Sequence, residues 1–156
     1  MATIQSIGVI GAGQMGCGIA HVCAAAGYKV HLYDLSQDRI EAGLATINGN
    51  LARQVSNGKL SDDERKAALS RISGSADLND LAPVDLAIEA ATEEEAVKRK
   101  IYAQLCPILK PEALLATNTS SLSITRLASA TDRPERFMGI HFMNPVPAMK
   151  LVELVR

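Results

Sequence analysis

The chain has 156 residues, 47% of them hydrophobic and 21% charged, with a formal net charge of −1. That describes one globular domain with room for a proper core, and it excludes a whole-molecule field that would gather nucleic acid or a membrane surface. Aromatics at 3% with no Trp leave no base-stacking platform.

Strand-like and helix-like segments alternate from the start. "SIGVI" is a short β-branched run ending in glycines, and "QMGCGIAHVCAAAG" reads as a helix closed by Gly27. "KVHLYD", Lys29 to Asp34, is a second strand. A long amphipathic helix follows, with Ile40, Leu44, Ile47, Leu51 and Val55 at helical spacing and Ser36 as its cap. "SDDERKAAL" opens a further helix with a capping box, Ser61 and Glu64. "VDLAIEAA" is a continuous apolar run of the kind a central parallel strand needs. "EEEAVKRKIYAQLCPIL" is acidic early and basic later, as the helix dipole favours, with Val97, Ile101, Leu105 and Leu109 as its expected apolar face. "ALLATNTSS" is a strand spilling into polar loop chemistry, "SITRLASA" a short helix, and "RFMGIHF" and "KLVELV" the final strands.

This alternation predicts a doubly wound α/β domain over 1–156, with a mainly parallel sheet. The loop "MNPVPA" is too short for a helical crossover, so the last strand is expected to lie antiparallel to its predecessor or beside another neighbour. The three cysteines, Cys17, Cys23 and Cys106, form no C-x-x-C and no metal spacing with a histidine, and read as small buried side chains in a reducing compartment. The N-terminus has no basic n-region, so the cytoplasm is the default; a mitochondrial protein without its presequence has the same look.

Gly11, Gly13 and Gly16 form G-x-G-x-x-G between the first strand and the first helix. Each glycine has a task there: a tight turn, room for a pyrophosphate, and close helix–sheet packing. The helix N-terminus offers N–H groups and a partial positive charge to phosphate. Asp34 ends the second strand 18 residues beyond Gly16, where a carboxylate can accept hydrogen bonds from both hydroxyls of an adenosine ribose. A 2′-phosphate would meet that negative charge, so NAD is preferred over NADP, although Arg39 lies only five residues on.

Ligands of open α/β sheets sit outside the carboxyl ends of the strands. Three polar groups fall there in the later strands: Glu93, the run Asn118 to Ser121, and His141 with Asn144. "GVIGAGQMGCGIA", "IEAATEEEAVKRK", "LLATNTSSLSIT" and "GIHFMNPVPAMKLVELV" resemble the NAD-binding domain of the L-3-hydroxyacyl-CoA dehydrogenases, in particular the 3-hydroxybutyryl-CoA branch. The resemblance spans essentially the whole chain, and "HFMNPVPAMKLVE" is its most specific part.

It implies reversible NAD-dependent oxidation of an (S)-3-hydroxyacyl-CoA to the 3-ketoacyl-CoA. It implies His141 as the catalytic base, Glu153 as its carboxylate partner, and Ser120 and Asn144 as polar groups holding the substrate. Gly11, Gly13, Gln14, Met15, Gly16, Asp34, Glu93 and Asn118 fall to the cofactor, and Lys98 to the cofactor side facing the acyl-CoA. It also implies an all-helical second domain carrying a homodimer interface; nothing in these residues matches it, and the chain is expected to be a fragment.

The residues by themselves support the base chemistry. Histidine titrates near neutrality, and a carboxylate on its far nitrogen would fix the tautomer and stabilise the imidazolium. Glu153 alternates with Leu151 and Val155, so it is expected on an apolar strand face as a buried carboxylate needing a partner. Other readings stand beside these. A strand-end histidine is more often structural, Asn118 to Ser121 could be turn and cap chemistry, and Lys98-Arg99-Lys100 could be a solvated helix face. At the level of function, the rivals are a related hydroxyacid dehydrogenase and a non-catalytic, crystallin-like NAD-binding protein.

Overall fold

Seven short strands make one sheet in the computed structural model, which describes residues 3–156. They are β1 (Ser6–Ile10), β2 (Lys29–Tyr33), β3 (Ile72–Ser75), β4 (Leu86–Glu89), β5 (Leu114–Thr117), β6 (Phe137–Phe142) and β7 (Val152–Val155). Their order is β3-β2-β1-β4-β5-β6-β7. The first six are mutually parallel and β7 lies antiparallel on β6, as the short connection after β6 requires. The order reverses between β1 and β4, which opens a crevice at their carboxyl ends.

The sequence reading lacks β3. "ISGS" has neither an alternating pattern nor a β-branched run, and it forms a strand because it sits in parallel register beside β2, Val30 to Tyr33 facing Ile72 to Ser75.

Two helical layers cover the sheet. One holds α1 (Gln14–Ala25), α2 (Gln37–Ser56) and α3 (Asp62–Ser70); the other holds α4 (Glu95–Leu105) and the short α5 (Ile124–Ala128). Strand residues alternate between the two cores: Val9, Leu86 and Ile88 face the first, while Ile10, Ala87 and Leu115 face the second. The expected helix starts are present. Ser36 Oγ accepts from Arg39 N–H at 3.3 Å, and Ser61 and Glu64 exchange reciprocal bonds of 3.1 Å. Ile47 and Leu51 of α2 are essentially unexposed, each worth about 1.5–3 kcal/mol of burial.

Helix α4 is rotated relative to the expected face. Lys98, Tyr102 and Leu105 are its buried side chains, whereas Val97 is exposed and Ile101 half-buried along the crevice. A polar network under the helix turns Lys98 inward.

At the opposite end of the sheet, Asp85 ties β1 to β4. Its Oδ2 accepts from the backbone N–H of Gln5 (2.8 Å) and Ser6 (3.0 Å), and its Oδ1 from Lys110 Nζ at 2.5 Å. The Lys110 ammonium, then the two backbone donors, hold the Asp85 carboxyl well below the usual carboxylate range. A depressed folded-state pKa contributes stability that is fully present above the unfolded value of about 3.9 and lost as pH falls toward the folded one. Asp85→Asn should therefore destabilise the fold by about 1–3 kcal/mol between pH 5 and 7. In urea melts across a pH series, its deficit against the parent should shrink below about pH 4; a constant deficit down to pH 2 would refute the assignment.

Candidate active site at the carboxyl ends of the strands

The glycine turn leaves β1 at Gly11, whose φ of +111° and N–H bond to Tyr33 O (2.8 Å) redirect the chain. A Cβ on Gly11 would lie 2.8 Å from Ala90 O, and one on Gly16 only 1.6 Å from Gly11 O, so both positions are closed by backbone. A Cβ on Gly13 would meet nothing within 4 Å; it would point into open space before the helix. Gly13 is also the N-cap of α1, with no side-chain cap and no acid in the first turn. The helix start is thus an unshielded row of N–H donors behind a cleared space, a cradle that fits a pyrophosphate.

Asp34 lies 8% exposed at the end of β2. Its Oδ2 accepts from Ala12 N–H at 2.9 Å and its Oδ1 from Ser36 N–H at 3.2 Å, which aims the carboxylate at the crevice mouth. Arg39 Nε is 4.0 Å away on a largely exposed side chain. Beside them is a slot of about 210 Å³ whose apolar lining includes Tyr33, Leu35, Leu78, Val97 and Ile101. Leu35, 85% exposed, offers an apolar surface at the rim of the slot. The slot and the acid together fit an adenosine.

Across the crevice, a second hollow of about 210 Å³ gathers Met15, Glu93, Asn118, Ser120, His141 and Asn144 with Phe142 and Met143. His141 faces Glu153 directly in the β6–β7 register, Nδ1 to Oε2 at 3.5 Å. Asn118, 7% exposed, accepts the N–H of Phe142 at 2.9 Å and locks the end of β5 to the end of β6. Thr119 and Ser121 donate to Glu93 Oε2 at 2.8 and 3.3 Å, and Thr119 Oγ1 accepts from the N–H groups of Ser121 and Leu122. The polar run after β5 is therefore both turn chemistry and hollow lining; Ser120 is left exposed and lines it. Asn144 Oδ1 accepts from Gln14 Nε2 at 3.2 Å.

Two expectations change here. Glu153 is not buried: its side chain is 53% exposed, because β7 is an outer strand with all four residues open to solvent. Lys98 reaches neither hollow. Its side chain is 0% exposed, and its ammonium donates to Glu89 Oε1 (2.6 Å) and Thr117 Oγ1 (3.1 Å) beneath α4. Glu89 Oε1 also accepts from Thr117 Oγ1 (2.8 Å) and Tyr102 OH (3.1 Å), and its Oε2 from Ala91 N–H (2.9 Å). Three donors in addition to the cation satisfy the buried Glu89 carboxylate, and its bond to Ala91 sets the loop that borders the slot beside Asp34. Sequence reading missed Glu89; a glutamate ending an otherwise apolar run, nine residues before a lysine, was the available signal.

The cysteines are buried and free. Burial, aided by the Asp34 carboxylate, pushes the Cys17 thiol up, and burial pushes Cys23 up to about 11. Neither is a nucleophile. His21 is buried against Gln54 Oε1 (3.3 Å), and His31 meets Ser73 Oγ (3.3 Å), both away from the crevice. Among the described residues, no helix is long and apolar enough to cross a membrane.

A mainly parallel sheet with this strand order, a glycine turn with cleared space before a helix N-terminus and an acid at the end of β2 define a dinucleotide-binding domain of Rossmann type. The family model for the 3-hydroxyacyl-CoA dehydrogenase NAD-binding domain matches residues 6–156, and the chain belongs to that family. It is 64% identical over 155 residues to a 3-hydroxybutyryl-CoA dehydrogenase of Bradyrhizobium diazoefficiens, covering 99% of this chain and 53% of that protein. It is 44% identical to a 3-hydroxyadipyl-CoA dehydrogenase of Escherichia coli, covering 99% of this chain and 33% of the relative. The solved (S)-3-hydroxybutyryl-CoA dehydrogenase of Ralstonia eutropha superposes with a TM-score of 0.95 at 45% identity, over 97% of this chain and 54% of that one. The chain thus spans about half the length of most of the curated relatives it matches.

Removing one half of the buried pair leaves the other charge stranded. Lys98→Met should cost about 3–5 kcal/mol in urea unfolding, and adding Glu89→Gln should recover part of that; a loss under about 1 kcal/mol would place the pair in solvent contact instead. For the crevice acid, Asp34→Ala should weaken NADH by about tenfold or more while weakening NADPH far less, in fluorescence titrations. Equal losses would remove the ribose assignment.

Proposed function

We propose that the chain is the cofactor-binding domain of an NAD-dependent dehydrogenase that interconverts short-chain (S)-3-hydroxyacyl-CoA, such as 3-hydroxybutyryl-CoA, and the 3-ketoacyl-CoA. The observation that carries this is the convergence of His141, Ser120, Asn118 and Asn144 in one hollow beside the phosphate-binding turn, with Glu153 on the far nitrogen of the histidine.

Nicotinamide, when bound, supplies the hydride acceptor. The residues of the chain do the rest. His141 takes the proton of the substrate hydroxyl on Nε2, the nitrogen that Glu153 does not engage. Glu153 keeps Nδ1 protonated and opposes the positive charge that forms on the ring. The Ser120 hydroxyl and the Asn144 amide hold the C3 oxygen and the thioester end, so that the carbon faces the cofactor. Gly13, Gln14 and Met15 present backbone N–H groups to the pyrophosphate, and Glu93 borders the cofactor from the β4 side.

The long tail of CoA needs a cationic exit. Beyond Asn144, the loop to Lys150 borders a hollow of about 620 Å³ lined by Arg53, Lys59 and Lys150 with Asn50 and Gln54, which supports an anionic tail leaving along α2. Exposed Leu151 and, on β7, Val152, Leu154 and Val155 support a covering helical domain with the dimer contacts, and the bacterial relatives support a cytoplasmic enzyme.

In the full-length protein, His141→Gln should lower the rate of NADH-dependent acetoacetyl-CoA reduction by about 10²-fold or more, with the Kd for NADH within about twofold. Activity retained within a few-fold would discard the base assignment.

A further inference from the structure

Helix α1 does more than face the cofactor. Gln14 and Gly18 lie one turn apart on it, at i and i+4 and so on one face, and both meet the segment that carries Asn144. At the upper contact, Gln14 Nε2 donates to Asn144 Oδ1 at 3.2 Å. At the lower contact, Val146, 3% exposed, fills the place where Gly18 lacks a side chain: a Cβ there would lie 2.7 Å from Val146 Cβ and 2.9 Å from its Cγ2. Those are not the far ends of a flexible chain, so an added methyl must move the loop or the helix. Val146 belongs to the same core as Cys17, Ile19, Ala20 and Ile140, so the loop is seated in the body of the domain. Its backbone is closed on itself by Ala148 N–H and Met149 N–H to Pro145 O, at 3.0 and 3.1 Å.

We propose that Gln14 and Gly18 are positioning residues that dock the Asn144–Val146 loop onto the helix whose N-terminus takes the cofactor pyrophosphate. This rests on the dehydrogenase reading for what Asn144 does, though not for where it sits. The consequence is geometric: cofactor and substrate-orienting amide are indexed to one rigid helix, so the distance between hydride donor and acceptor is set by α1 rather than by a free loop. Gly18, the fourth glycine of the run "GAGQMGCG", is then a socket for the loop.

Backbone amide exchange of residues 143–149, read by mass spectrometry on the full-length chain without substrate, reports docking directly. Gly18→Ala should speed exchange there about fivefold or more, and so should Val146→Ala, since each breaks the same contact. The double variant should exchange no faster than the faster single. Gln14→Ala, a surface truncation that leaves the core intact, should lower kcat for acetoacetyl-CoA reduction about tenfold with NADH Kd within about twofold, and should add little to Asn144→Ala. Unchanged exchange in Gly18→Ala, or multiplicative effects in either double variant, would overturn the proposal. A parent protein that protects 143–149 yet fails to reduce acetoacetyl-CoA would leave the docking standing and sink the dehydrogenase reading instead.

Discussion

The closeness of α1 to the sheet governs everything placed around it. With Gly11 O where a Gly16 Cβ would be, the helix cannot carry any side chain at that point, and it comes down almost onto the turn that launches it. Had the helix stood off by the thickness of a methyl group, its N–H groups would no longer front the gap between β1 and β4. The Val9 and Ile88 side chains of the first core would also lose their lid. One steric condition at two glycines therefore aligns the phosphate cradle, the core beneath it and the loop seated on its flank.

The other strong constraint is electrostatic. Glu89 ends β4 at the bottom of the crevice with no exposed surface, and a carboxylate in that position is tolerated because a cation and three further donors meet its two oxygens. The arrangement joins β4, β5 and α4 through three side chains and fixes the loop after β4 through Ala91. Arg133 plays the matching part at the opposite end of the second core. It is 4% exposed, and its guanidinium donates to the carbonyls of Cys106, Lys110 and Ala113, closing the carbonyl end of α4 and the approach to β5.

Most of the architecture was legible in the sequence because the relevant signals are local. Glycines before a helix, Ser36 and Ser61 as caps, and the apolar run through Leu86–Ile88 each depend on neighbours a few residues away. What escaped depends on contacts distant in the chain. β3 exists through its register on β2, a partner some forty residues earlier. The face of α4 was misassigned because periodicity treats a lysine as solvated, while Lys98 has an anion waiting for it on β4. The crevice residues were readable as types at strand ends, but Glu153 looked buried because alternation on a strand says nothing about whether a neighbour covers it.

His141 and Glu153 are opposite one another because of the register in which β7 pairs with β6. A slip of β7 by one residue against β6 would turn the glutamate to the other side of the sheet and leave the imidazole facing Val152 or Leu154. The pair therefore depends on whatever holds that register, and the β6–β7 backbone ladder is as much a part of the site as the two side chains.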